Sequence, residues 1–471
     1  MPTTQSLLTA FPMIQAPLDP QFIPVILANR SYRHAVSASD SSTTLAVAIE
    51  RENGLISRHD MQIISPGSTY DADTLRIIER HIKFLLWAKG GWKIYLNGPG
   101  RFCEAIQQYY APGGKREFDA RLMQRVYEHP FTVEIVEANQ MPDTQEMGTA
   151  VGGHLQGCRL GFDLGASDYK LAAVIDGEPV FSTEISWDPV GQTNPNYHYS
   201  RIAEGLRQAA SHMPRVDAIG GSSAGIFIAN QPKIASLFRS VPEETFDKVI
   251  KPMFLKLQQE WNVPLVIIND GDVTALAGSL SLQRDAMLGI AMGSSEAVGY
   301  LNPEGRITGY LNELAFAPVD FNDQAVVDEW SGDYGVGALY FSQQAVNKLA
   351  PAAGISFPDD MLLPERLKIV QDKVNNGDQS AEQIFETIGV YLGYTLPHYA
   401  EYYEYDNLLM LGRVTSGRGG EIILHQAKKV LSQEFPEIYE RITLHVPDEQ
   451  SRRVGQAVAA ASLPEIEDKK G

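Results

Sequence analysis

The segment that most restricts this chain is Val263-Pro264-Leu265-Val266-Ile267-Ile268-Asn269-Asp270-Gly271-Asp272-Val273-Thr274-Ala275-Leu276-Ala277. Its apolar, largely β-branched opening reads as a buried strand from Val263 to Ile268, and the small residues from Thr274 to Leu282 open a helix. A strand passing straight into a helix belongs to α/β architecture, and open α/β sheets bind ligands outside the carboxyl ends of their strands. Asp270 stands at that edge, as a carboxylate able to take a proton from a hydroxyl. Asn269 beside it offers both a donor and an acceptor. The competing reading is that Asp270 or Asp272 caps the helix, a common use of Asp.

Three further segments carry chemistry of the same kind. In Gly161-Phe162-Asp163-Leu164-Gly165-Ala166-Ser167-Asp168-Tyr169-Lys170 an apolar strand delivers a carboxylate, and Gly165 lets backbone amides approach a phosphate. Asp163 there can hold Mg²⁺ through water, since that ion takes oxygen ligands and keeps much of its hydration. In Leu288-Gly289-Ile290-Ala291-Met292-Gly293-Ser294-Ser295-Glu296-Ala297-Val298-Gly299-Tyr300 two strands flank a Gly-Ser-Ser turn, a compact cradle of amides and hydroxyls. From Asn407 to Leu411 a strand enters the glycine-dense turn Gly412-Arg413-Val414-Thr415-Ser416-Gly417-Arg418-Gly419-Gly420, where a flat ring can lie against backbone. Each segment alone is equally compatible with an ordinary hairpin or loop.

The 471 residues exceed one ordinary core, and 44% hydrophobic with 21% charged residues is a globular balance. Residues 1–40 read as an extended arm with scattered Pro and Ser. Residues 41–155 read as an N-terminal α/β region: a strand at Leu45 to Ile49, an Asn53-Gly54 turn, a return strand from Leu55 to Ile64, a helix through Leu75, Ile78, Ile82, Leu85 and Leu86, and a strand at Trp92 to Leu96. A similar order returns after Cys158, so 41–155 reads as a degenerate repeat, with Ala48-Ile49-Glu50 where the second copy has Asp163-Leu164-Gly165. The expected lobes are 156–280 and 281–471, with a long helix through Ala381 to Tyr403.

The order of the four segments resembles the phosphate-1, catalytic, phosphate-2 and adenosine segments of the actin, sugar-kinase and Hsp70 (ASKHA) superfamily, and within it the chain looks most like the ROK group of sugar kinases. The resemblance covers about Arg159 to Leu431. It implies an α/β fold of two RNase-H-like lobes, here with an additional N-terminal α/β region, and an ATP- and Mg²⁺-dependent carbohydrate kinase that phosphorylates a hydroxyl of a sugar, sugar derivative or cyclitol. By the resemblance Asp270 is the general base. Asn230, Asn269, Glu313 and Glu329 face the sugar. Asp163, Gly165 and Lys170 form phosphate-1, Gly293, Ser294 and Ser295 form phosphate-2, and Gly412, Gly417 and Gly419 lie near adenosine.

Two departures stand out. Phe316 occupies the place of the family's His, which touches sugar and binds zinc, and the Cys-rich zinc segment is absent, so the expectation is no zinc and an altered sugar specificity. Arg413 replaces the second glycine of the family's usual pair. With only Cys103 and Cys158 the chain has no disulfide framework, and no signal peptide or membrane span is read, so a cytoplasmic location is expected. A net charge of −19 disfavours nucleic acid and anionic membrane surfaces as partners. The oligomeric state is open, a homodimer included. His198, His212, His398 and His425 lack metal-ligand spacing, and Tyr399, Tyr402, Tyr403 and Tyr405 read as packing or interface. The rival reading is a sugar-sensing regulator, or a pseudo-kinase that binds ligand without turnover.

Overall fold

The computed structural model describes residues 6–9, 11–146, 152–446 and 449–466. The lead-in to residue 40, expected as an extended arm, is helical in its second half. Beyond Pro24 it forms helix α1 (Val25–Ser37), which buries Val25, Ile26, Leu27, Ala28, Tyr32 and Val36. Proline is tolerated at a helix start because its missing N–H would be unpaired there. Residues 1–5 and 10 of the expected arm lie outside the described residues.

The N-terminal sheet is built from β1 (Ser42–Glu50), β2 (Ile56–Ile64), β3 (Lys93–Asn97) and β4 (Thr132–Ile135), in the order β2-β1-β3-β4. Helices α2 (Asp71–Lys89), α3 (Gly100–Tyr110) and α4 (Glu117–Tyr127) connect its strands. The first lobe contains β5 (Cys158–Leu164), β6 (Asp168–Ile175), β7 (Glu178–Ser186), α5 (Pro195–Ala210), β8 (Ala218–Ser223), the small hairpin β9 (Ile226–Ile228) and β10 (Gln231–Ile234), the single turn α6 (Glu243–Thr245), α7 (Met253–Trp261), β11 (Leu265–Asn269) and α8 (Asp270–Leu282). Its five-stranded sheet runs β11-β8-β5-β6-β7.

The second lobe has β12 (Met287–Met292), β13 (Glu296–Leu301), α9 (Gln343–Leu349), α10 (Leu363–Asn375), α11 (Gln379–Tyr399), β14 (Asn407–Leu411), α12 (Arg418–Glu434), α13 (Pro436–Arg441) and β15 (Thr443–His445), with sheet order β13-β12-β14-β15. The N-terminal sheet, the second-lobe sheet, α1, α2, α11 and α12 contribute to one continuous hydrophobic core, whereas the first-lobe sheet has its own.

The expected repeat differs in topology. In the first lobe β8 pairs parallel to β5, but in the N-terminal sheet β3 pairs antiparallel to β1. The cause is one missing strand. Three hairpin strands, β5 to β7, hand the crossover helix a strand running the same way as β5. The two strands β1 and β2 hand it one running the opposite way, so a strand parallel to β2 must oppose β1.

The last helix, α14 (Glu449–Ala461), returns to the first lobe and packs on β5, β6, β8 and α8. Two strand glycines admit it. A Cβ at Gly161 or Gly220 would overlap the carbonyl oxygens of Ala457 and Ala460. We expect Gly220→Ala to destabilise the protein by roughly 1–3 kcal/mol in urea denaturation. Gly455→Ala, within α14 and with open space around it, should be neutral or stabilise by up to ~1 kcal/mol.

Candidate active site

The parallel register of the first lobe gathers its polar residues at one edge. Asp163 pairs with Ser222 in β8, and Asn269 in β11 pairs with Ser223. Asp163 is buried, accepting from Ser222 Oγ at 2.8 Å and pairing with Lys170 Nζ at 3.2 Å. Beyond it the β5–β6 turn is closed by Gly165 N–H donating to the Asp168 carbonyl, leaving Ala166 and Ser167 exposed. At the matching edge of the second lobe, Gly293 N–H donates to the Ser295 carbonyl, and Ser294 and Ser295 are exposed at the hairpin tip. The Gly412 turn is tied to this edge by Val414 N–H donating to the Met292 carbonyl. Gly417 stands at the N-cap of α12 and is exposed, but Gly419 is buried against the Phe385 ring of α11, a helix–helix contact. Arg413 is exposed.

The helix after β11 is capped by Asn269, whose Oδ1 accepts from Gly271 N–H. Capping therefore falls to neither aspartate. Asp270, in the first turn, is half-buried, and its carboxyl is raised to about 6 by burial and then by the charge of Asp163, with the Gly271 and Asp270 amides and Lys170 opposing. Asp272 turns inward and accepts from Tyr300 N–H at 3.2 Å and Asn312 Nδ2 at 2.9 Å. Burial lifts it to about 7.

These groups meet the second lobe because Gly271 and Gly299 touch. A Cβ on either would overlap backbone of the other's strand or helix, so glycine at both positions lets the first turn of α8 lie directly on β13. Glu313 completes the group from a segment held by the N-terminal region. Leu311, Asn312 and Glu313 donate their N–H groups to the Lys89, Ala88 and Trp87 carbonyls, at 3.2, 3.0 and 3.1 Å. Those are carbonyls that α2 leaves unpaired at its C-terminus. Tyr403 Oη also donates to Asn312 Oδ1, fixing the amide that holds Asp272. Glu313 is pushed up to about 7 by burial and by the charges of Asp270 and Asp272.

Sequence reasoning missed Glu296. It follows the Gly-Ser-Ser tip, yet is only 4% exposed. Its Oε1 accepts from Tyr399 Oη at 3.3 Å, and its Oε2 has no hydrogen-bond partner. Burial, with Glu313 adding, lifts it to about 8. The signal was present as period two: Glu296, Val298 and Tyr300 share one face of β13, and Val298 and Tyr300 are plainly core residues.

Two other residues expected to face the sugar, Asn230 and Asn269, also hold backbone groups. Asn230 spans the edge of β11, its Nδ2 donating to the Leu265 carbonyl and its Oδ1 accepting from Ile267 N–H. Asn269 Nδ2 donates to the Gly225 carbonyl while its oxygen caps α8. One N–H of each amide is left for a ligand. Glu329 is exposed on a loop with Val326, Val327 and Trp330, whereas Glu296 is the deep carboxylate. Phe316 is buried among Trp87, Phe118 and Trp330, with the Trp87 ring at 4.5 Å. Tyr399, Tyr403 and Tyr405 are buried, so packing is their main role. Among the described residues no three His, Cys, Asp or Glu side chains are grouped to hold a metal ion, and no helix is long and apolar enough to cross a membrane.

No protein-family model matches the chain, and no curated protein matches it either. Solved structures do. A ROK hexokinase from Thermus thermophilus aligns with a TM-score of 0.50 at 17% identity, covering 64% of this chain and 97% of that one. A ROK family transcriptional regulator, a homolog of the E. coli MLC protein, aligns with a TM-score of 0.52 at 18% identity, covering 66% and 79%. The chain has a mixed α/β, two-lobed fold similar to that of these ROK proteins.

Proposed function

We propose that this ROK-type chain is a kinase that transfers phosphate from ATP to a hydroxyl of a sugar, sugar derivative or cyclitol. The observation that carries the reading is Asp270. It stands at the carboxyl edge of the first-lobe sheet and is relieved of capping by Asn269. Its carboxyl, raised to about 6, is ionised at neutral pH yet basic enough to accept a proton.

The residues present fit a magnesium nucleotide. The exposed turns at Gly165 and at Gly293, Ser294 and Ser295 offer amides and hydroxyls for phosphate oxygens, and Asp163 would hold Mg²⁺ through water. Gly412 and Gly417 would border the adenosine. Bound there, the nucleotide and its ion supply the phosphoryl group and offset its charge. Asp270 orients the acceptor hydroxyl and takes its proton, Lys170 holds Asp163 in place, and Glu313 with the free N–H of Asn269 binds neighbouring polar groups of the acceptor. Closure of the lobes would keep water from competing for the phosphoryl group.

Calorimetry tests the reading: ATP should bind in the presence of Mg²⁺ and lose most of its affinity when the ion is chelated. Absence of metal-dependent binding of any nucleotide would remove it. A ligand-sensing role without turnover is the second reading, favoured by the likeness to a transcriptional regulator. It predicts sugar binding with no phosphorylated product.

A further inference from the structure

A cavity lies outside the candidate active site, where the N-terminal region meets the end of α11. It holds about 620 Å³ between α1, β2, α2 and Glu401 and Tyr402, within the roughly 300–1,000 Å³ usual for small-molecule sites. Its walls are held from behind. Tyr32 Oη donates to Thr74 Oγ1 at 2.9 Å and accepts from Ile64 N–H at 3.1 Å, and the Tyr402 carbonyl accepts from Lys89 Nζ at 2.8 Å.

Strand β2 places a polar ring on the core side. Alternate residues of a strand share a face, so His59 lies with Met61 and Ile63, and Ile63 is fully buried. The His59 imidazole forms no hydrogen bond with any described residue, and its neighbours are the rings of His81 at 6.0 Å and Tyr402 at 5.6 Å. Neither of its nitrogens is among the enclosed unpaired atoms, so both open on the cavity.

A second group is left unmatched on the same wall. His81 Nδ1 and Tyr402 Oη are 2.7 Å apart, while His81 Nε2 is enclosed without a partner. Burial keeps both histidines neutral near pH 7, at about 4 for His59 and about 3 for His81. A proton on His81 Nε2 would be a buried donor with no acceptor, so it belongs on Nδ1, which donates to Tyr402 Oη. The Tyr402 O–H then lacks an acceptor.

These leftovers select the ligand. Arg33 pairs with Glu401 at 2.7 Å and Asp60 with Arg58 at 3.0 Å, so the charged side chains of the lining already have partners. The groups without partners are uncharged: the His59 ring, the Tyr402 O–H and the Asn29 amide. The His59, His81 and Tyr402 rings lie 5.6–6.0 Å apart, and the surface offered to a ligand is mostly carbon, with Met61 and Ile77 beside them. A sugar needs polar partners around its whole edge. A flat ring with a donor and an acceptor on one edge needs only those present, and its faces suit aromatic and aliphatic walls. We propose that the cavity is a binding site for an uncharged nitrogen heterocycle of the nucleobase or nicotinamide type, received along its edge by His59 and Tyr402. The site is independent of the kinase reading.

Calorimetry on the full chain tests it with adenine, hypoxanthine, cytosine, uracil and nicotinamide, which also separates the two types. Saturating Mg²⁺-AMPPNP keeps the candidate nucleotide site occupied, and benzoate is the charged ring for comparison. At least one heterocycle should bind with one equivalent, more tightly than benzoate. His59→Phe keeps a ring but removes both nitrogens, and should weaken that ligand by roughly tenfold, as for a lost hydrogen bond that leaves its partner unpaired. Tyr402→Phe should do the same, and carries the comparison if melting shows His59→Phe misfolded. A heterocycle bound at the nucleotide site would be insensitive to both changes. The proposal is overturned if no heterocycle binds, if benzoate binds as tightly, or if the affinity survives both substitutions.

Discussion

Asp333→Ala should cost about 3–5 kcal/mol of stability, the usual penalty for removing one partner of a buried ion pair. Asp333 lies at the centre of a buried cluster that joins the second lobe to the N-terminal region. Its carboxylate meets Arg80 at 2.6 Å, Arg116 at 2.8 Å and Lys83 at 2.9 Å. Glu79 and Asp119 are the other anions: Glu79 pairs with Arg116, while Asp119 accepts from Lys83 at 3.2 Å and from Trp87 Nε1 at 2.9 Å. Arg80, Lys83 and Arg116 balance Glu79, Asp119 and Asp333, and every one of these side chains is buried. Removing Asp333 leaves a surplus cation with no water to solvate it. Asp323, on the same loop, offers the contrast: it is exposed and 3.7 Å from Arg76, so Asp323→Ala should change stability by no more than ~0.5 kcal/mol.

The cluster also sets a pH dependence with a definite sign. Lys83, Arg80 and Arg116 hold the Asp333 carboxyl far below the usual Asp range. A depressed carboxyl contributes stability that is fully present above its unfolded value, about 4, and is lost as pH falls toward the folded one. The gap between wild type and Asp333→Ala in urea denaturation should therefore be constant near neutrality and narrow below about pH 4. A loss under ~1 kcal/mol at neutral pH would mean that the cluster is solvated.

This cluster gives the N-terminal region a physical purpose that the sequence did not disclose. Arg80 and Lys83 lie on α2, the helix whose last carbonyls hold Asn312 and Glu313. In sequence α2 is legible as an amphipathic helix through Leu75, Ile78, Ile82 and Leu85, but its second-lobe partners, Asp333 and residues 311–313, lie more than two hundred residues away. The strand and helix around Asp270 were legible for the opposite reason. Their pattern is local: an apolar run, two polar residues, then small helix formers. Asn230 and Asn269 were recognisable as polar residues beside the site, yet nothing local shows that backbone groups of β11, Gly225 and Gly271 take up most of their hydrogen-bonding capacity. Glu296 was hidden by its neighbours, because an acid after Gly-Ser-Ser looks like part of a solvated turn until β13 is known to bury it.

Asp270→Asn should lower turnover by roughly 10²–10⁴-fold, the usual contribution of a positioned acid–base group, while leaving the fold and much of the acceptor affinity intact. The stability half of that expectation follows from the cap. Asn269 Oδ1 accepts the Gly271 N–H, so a change at Asp270 removes no capping bond, and an amide of nearly equal size fits the same space. Asparagine also removes one of the mutually repelling carboxylates, so thermal stability should hold or rise slightly. The kinetic half follows from charge, since an amide cannot accept the hydroxyl proton. The wild-type rate should climb with pH through about 6, where the Asp270 carboxyl loses its proton, and that limb should be missing from the residual activity of the variant. The measurement is initial rate against pH with Mg²⁺-ATP and the best acceptor from a screen of sugars, sugar derivatives and cyclitols, alongside a melting curve for each protein. Unchanged turnover would show that another group removes the proton, and Glu313 would then be the carboxylate to replace next.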